Sequence, residues 1–176
     1  MSMAGTRAEI VSSAEQVFDR HGFAGTGMDR LCEAASVSTR TLYKHVGSKT
    51  GLMAAVLESR MSRFFERFDV HSIEELFEAL ETWVAAEGAR GCLFLRAQGE
   101  TGGLTPEVSA VVAEYHRRLL ELARRVIAEE TGRPDEVLAE QLLVLFEGAT
   151  SAAPYLGTGA ISSARSAAVN LTRQAR

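Results

Sequence analysis

Apolar side chains recur at intervals of three and four residues from Ile10 to Leu171, and alternating β-branched runs are few. That period belongs to helices and not to strands, so the chain is confined to an all-α fold. Its three prolines, Pro106, Pro134 and Pro154, leave long stretches without a helix breaker. With 176 residues, 46% of them hydrophobic, the chain has room for one compact domain or two small ones sharing a core. No apolar run approaches the roughly 20 residues that a bilayer span requires. The N-terminus also lacks the basic start and apolar core of a signal peptide. A soluble, cytoplasmic chain without a membrane partner is therefore expected. Cys32 and Cys92 lie far apart with no CxxC or Cys/His cluster around either, so both are expected as buried hydrophobes. No disulfide framework, metal site or cofactor is expected.

About nine helices can be placed. The first spans Thr6 to His21, with Ile10, Val11, Ala14, Val17 and Phe18 on one face. Gly22 stops it, and Phe23 is then placed to pack back on Phe18. A second, short helix opens at Thr26, where Thr26-Gly27-Met28-Asp29 has the spacing of a capping box, and it buries Leu31, Cys32 and Ala35. Ser38 caps a third helix that runs to Val46, with Leu42 and Val46 turned inward. Ser48 caps a long fourth helix through Phe68, and Ser72 opens a fifth that buries Leu76, Phe77, Leu80, Trp83 and Val84. A short segment from Gly91 to Gly99 and a loop from Gly99 to Pro106 follow. Thr105-Pro106-Glu107 starts a helix that Gly132 closes. The last two helices run from Pro134 to Ala153 and from Gly159 to Arg176. The last carries Ile161, Ala164, Ala168 and Leu171 on a seam where small residues allow close approach of another helix.

The net charge of −4 argues, taken globally, against a nucleic-acid partner, but its distribution does not. Residues 1–50 hold six Lys/Arg and five Asp/Glu, whereas residues 51–176 hold thirteen and eighteen. Between Glu33 and Glu58 there is no acid, and Arg40, Lys44 and Lys49 fall inside that window. A local basic face on an acidic body suits a short nucleic-acid contact element. The two short helices have the dimensions of a helix-turn-helix, whose second helix enters the major groove. Its outer residues Thr39, Arg40, Thr41, Tyr43, Lys44 and His45, followed by Lys49, supply hydroxyls and cations for phosphates and an Arg able to read guanine.

The segment Gly22-Phe23-Ala24-Gly25-Thr26-Gly27-Met28-Asp29-Arg30-Leu31-Cys32 resembles the DNA-binding domain of TetR-family transcriptional regulators, as does its continuation from Val37-Ser38-Thr39-Arg40-Thr41-Leu42-Tyr43-Lys44-His45 to Ser48-Lys49 and Leu52. Leu42-Tyr43-x-His45 and Ser48-Lys49 are its most specific parts. The resemblance covers roughly the first third of the chain. It implies a DNA-binding domain at residues 1–50 and a helical bundle at 51–176 for ligand binding and dimerisation. Thr26, Tyr43, His45 and Lys49 match phosphate contacts, Ser38 is expected both to cap the recognition helix and to contact DNA, and Thr39, Arg40 and Lys44 occupy base-reading positions. The implied protein is a homodimeric repressor, paired through its last two helices on a palindromic double-stranded operator and released by an unidentified small-molecule effector. Ser36 stands where the turn usually has Gly, and Arg40 where a small residue is common.

Phe77, Trp83, Phe94, Tyr115, Phe146 and Tyr155 could line an apolar ligand site, with His116, Arg96 or Glu147 as polar handles; ordinary core packing is the competing reading for each. A helical-bundle enzyme using His45, Lys44 or His116 and a helical scaffold without DNA binding are the alternatives from other classes. No acid pair, activated nucleophile, metal cluster or phosphate loop points to catalysis.

Overall fold

The computed structural model describes residues 3–175, with side chains from residue 6 to residue 173. The described residues form nine helices: α1 (Met3–His21), α2 (Met28–Ala34), α3 (Thr39–Val46), α4 (Lys49–Arg67), α5 (Ile73–Glu87), α6 (Leu93–Thr101), α7 (Pro106–Thr131), α8 (Glu136–Leu156) and α9 (Thr158–Ala175). Arg176, the expected end of the last helix, lies outside them. Backbone contacts divide the chain into two compact units, one of residues 1–63 and 93–114, the other of residues 64–92 and 115–176.

In the first unit α1 buries Ile10, Val11, Ala14 and Phe18, while α4 buries Leu52, Val56 and Leu57. Gly22 ends α1 at φ +77°, its N–H donating to the Phe18 carbonyl at 2.8 Å. The chain then turns back so that the Phe18 and Phe23 rings stack with centroids 4.7 Å apart. Glu15, 7% exposed, accepts from Arg60 at 2.9 Å and from Arg63 at 2.6 Å, which ties α1 to α4 through a buried charge with partners. Ser48 Oγ accepts from the Gly51 N–H at 2.9 Å and caps α4. α6 extends to Thr101, past Gly99, where the sequence predicts a loop, and Thr101 Oγ1 donates to the Ala97 carbonyl in its last turn.

In the second unit Ser72 caps α5 by accepting from the Glu75 N–H at 3.2 Å. Glu75 reciprocates one residue early, on the His71 N–H at 2.8 Å. α8 begins at Glu136 and not at Pro134, because Asp135 is the residue that caps it, accepting from the Leu138 N–H at 3.1 Å. It also runs past Ala153, since Pro154 removes one donor near the helix end without stopping the last turn. α9 lays Ala160, Ile161, Ala164 and Ala168 against neighbours within the unit, where small side chains permit close contact with α8 and α5. Among the described residues no helix is long and apolar enough to cross a membrane.

Candidate nucleic-acid interface

The interface is built on α3. Leu42, fully buried, anchors it, and Val46 is half-buried one turn later. Ser38 Oγ accepts from the Thr41 N–H at 3.1 Å and lies 2.9 Å from the Thr41 hydroxyl, so the first turn is closed by its own cap. Gly47, at φ +73°, ends the helix with its N–H on the Tyr43 carbonyl at 2.8 Å. This register leaves Thr39, Arg40, Tyr43 and Lys44 exposed, with Thr41, His45 and Lys49 half-buried at the margins. Thr39 and Tyr43 are one i, i+4 pair and Arg40 and Lys44 another, so the four side chains form one outward stripe. Among the described residues Arg40, Lys44 and Lys49 take part in no ion pair, which leaves their charges available to an outside anion.

The turn between α2 and α3 passes through Ser36 at φ +52°, the one described non-glycine residue with positive φ. This is the position at which the sequence lacks the usual Gly, and the serine adopts the glycine conformation at some cost. The Ser36 N–H donates to Glu33 and the Val37 N–H to Cys32, both to main-chain oxygens, so the corner is closed despite the substitution. Cys32, buried on α2, donates its Sγ to Thr39 Oγ1 at 3.7 Å and joins the two helices across the turn.

Thr26 departs from expectation. Gly27 is the N-cap of α2 and no side-chain cap bond forms, so the capping box is absent. Thr26 is 1% exposed and its hydroxyl donates to the Gly22 carbonyl at 2.6 Å. The stop at Gly22 strands that carbonyl, and the nearest hydroxyl turns inward to satisfy it. Its side chain is therefore not on the exposed stripe.

The expected ligand-site residues are mostly core packing, and Tyr155 is exposed. Phe77, Trp83, Tyr115 and Phe146 are buried in the second unit, where Trp83, Tyr115 and Phe146 pack around Phe64 and Phe68 and Phe77 lies against Phe146. Phe64 and Phe68 stack at 3.9 Å. Phe94 is equally buried but belongs to the first unit. Tyr155, on the outer face of α8, is 76% exposed and lines no interior. Arg96 is committed to Asp19 at 3.1 Å and is not an available handle. The cavity against Phe146, bounded by Leu76, Leu119, Leu122 and Leu142, holds only about 10 Å³, the space of one water in an apolar setting.

His116 and Glu147 do meet, at 3.8 Å. Burial lowers the His116 imidazole below its ordinary range and pushes the Glu147 carboxyl up to about 7, with the Cys92 thiol drawing it slightly back. Both Glu147 oxygens are enclosed without a hydrogen bond of good geometry.

Residues 10–56 match the family model of bacterial regulatory proteins of the tetR family. The HTH-type transcriptional regulator UidR of Escherichia coli is 26% identical over 121 residues, covering 66% of this chain and 61% of that protein. This chain thus spans about three fifths of the length of that curated relative. An HTH-type transcriptional repressor of Streptomyces coelicolor is 39% identical over 56 residues, 32% of this chain and 29% of its own. Among solved structures, a TetR-family transcriptional regulator from Streptomyces coelicolor superimposes with a TM-score of 0.83 at 21% identity, covering 97% of this chain and 96% of that one. A candidate tetR-transcriptional regulator from Streptomyces avermitilis gives 0.77 at 28% identity, covering 96% and 98%. The resemblance read from Gly22 to Leu52 is borne out, and so is the all-α architecture with its N-terminal helix-turn-helix.

Proposed function

We propose that this chain, whose N-terminal helices carry the TetR-family DNA-binding motif, is a sequence-specific transcriptional regulator acting as a homodimeric repressor that a small-molecule effector releases from its operator. The observation that carries this reading is the stripe of Thr39, Arg40, Tyr43 and Lys44 on a capped, anchored helix in a stretch of sequence without acids. A helix so presented fits the major groove. Arg40, with Thr39 and Lys44 beside it, reads base edges, and Thr41 and Ser38 hold the first turn. Tyr43, His45 and Lys49 contact phosphates, while the buried Thr26 hydroxyl is held by the Gly22 carbonyl. Residues 1–50 are the DNA-binding part and 51–176 the ligand-binding and dimerisation part. The chain works in the cytoplasm and catalyses nothing.

Dimerisation through α8 and α9 is supported by what α8 exposes. Val137, Val144, Tyr155 and Leu156 are 60–76% exposed, an unusual load of apolar surface for one helix. Two recognition helices on a twofold axis meet major grooves roughly 34 Å apart, so an effector that changes their separation lowers affinity. α4, continuous from Lys49 to Arg67, is the element that such a change would swing.

Binding to random duplex DNA at a series of salt concentrations tests the reading. A steep fall of affinity with salt, lessened by Lys49→Ala, is expected from counterion release. Salt-independent binding, or none, would favour the scaffold alternative.

A further inference from the structure

The corner between α1 and α2 belongs to neither helix, so its main-chain groups must find partners elsewhere. α6 supplies them. Glu100 Oε2 accepts the N–H groups of Phe23 at 2.5 Å and Ala24 at 2.8 Å. One turn earlier Arg96 donates to Asp19 Oδ1 at 3.1 Å and to the main-chain oxygens of Asp19 at 3.1 Å and Phe18 at 3.5 Å. Arg96 thus sits where the stranded carbonyls of α1 carry partial negative charge, and Glu100 takes up the donors that follow. Gly22 fits the same arrangement, since a Cβ there would stand 2.8 Å from Glu100 Oε2.

Resting on the DNA-binding reading above, we propose that Arg96 and Glu100 are positioning residues for DNA recognition: an i, i+4 clamp on α6 that sets the α1–α2 corner and through it the placement of α3. α2 begins four residues beyond Ala24 and carries α3 across a tight turn. Any slack at the corner therefore reaches the recognition helix. Glu100 is also an exposed acid on a protein read as meeting a polyanion. As a plain surface charge it would only weaken binding. Its use as a main-chain acceptor gives an acid at this place a purpose, and the two roles predict opposite responses to its removal.

The test compares Glu100→Ala, Glu100→Gln and Arg96→Lys with the parent, reading both affinity for a duplex and amide exchange at Phe23 and Ala24. Glu100→Ala is expected to lose about tenfold in affinity and to speed exchange at both amides, the scale of one lost charge-assisted bond. Glu100→Gln, whose amide oxygen can accept the same two donors, is expected to bind within about twofold of the parent. Arg96→Lys keeps the charge but loses the fork, and is expected to lie between parent and Glu100→Ala. It also carries the test if Glu100→Ala does not fold, since Arg96→Lys binding as tightly as the parent would then overturn the proposal. Glu100→Ala binding as tightly as the parent or tighter, or Gln and Ala variants behaving alike, would overturn the proposal. A parent that binds no duplex would instead refute the functional reading, and the exchange rates would then decide the clamp by themselves.

Discussion

Arg40 and Lys49 carry the same charge into different environments, and their substitutions should differ in kind. Arg40 stands mid-stripe on α3, so Arg40→Ala is expected to relax preference by about 1–3 kcal/mol at one base pair per half-site. Lys49, half-buried at the start of α4, should on substitution to Ala weaken all sequences alike. Affinity measurements over single-base operator variants separate the two, and a uniform loss for Arg40→Ala would remove its base-reading role. Ser36, held at φ +52°, invites a stability test. Ser36→Gly relieves left-handed strain but adds freedom to the unfolded chain, and a net gain of about 0.5–1 kcal/mol in denaturant unfolding is expected. Glu147 sets a pH dependence. Its folded pKa of about 7 lies above the ordinary 4.5, so the folded state holds a proton that the unfolded state has lost. Its stabilising contribution is therefore complete below about pH 4.5 and declines as pH rises toward 7, by on the order of 3 kcal/mol. Glu147→Gln should flatten that decline in unfolding experiments between those pH values; an unchanged slope would place the origin elsewhere.

At the scale of elements, caps and stops decide where helices begin and end. Ser38, Ser48, Ser72 and Asp135 each accept a main-chain N–H in the first turn. Ser38→Ala should cost about 1 kcal/mol of stability and fray the first turn of α3, visible as faster amide exchange at Thr41. Features of this kind were legible in the sequence because cap and donor are neighbours. The Phe18 and Phe23 stack was legible for the same reason, being a local consequence of Gly22. Thr26 was not, since its inward turn answers a carbonyl stranded by the stop before it, and Thr-x-x-Asp spacing cannot distinguish that from a capping box. The end of α6 was hidden by Gly99 and Gly103, which suggested a loop although Glu100 and Thr101 remain helical. Glu100 and Arg96 gave no local signal at all, because their partners lie some 77 positions away. Tyr155 and Phe94 look alike as isolated aromatics, and only the placement of their helices separates an exposed ring from a buried one.

At the scale of the whole molecule, reading two half-sites requires a second copy. The exposed apolar residues of α8 are where pairing would be felt, and Val144, 71% exposed, lies midway along them. Val144→Glu is expected to shift the protein from dimer to monomer in sedimentation and to abolish preference for paired half-sites, while leaving the melting temperature of the monomer fold nearly unchanged. A dimer that persists would move the interface off this face. Whether a twofold pair of α3 helices reads DNA is decided by selecting binding sites from a random duplex pool with the purified protein. An enriched palindrome whose half-sites are separated by about one helical turn, roughly 34 Å, is expected. Enrichment of no sequence, by protein whose ligands have been removed by unfolding and refolding, would contradict it.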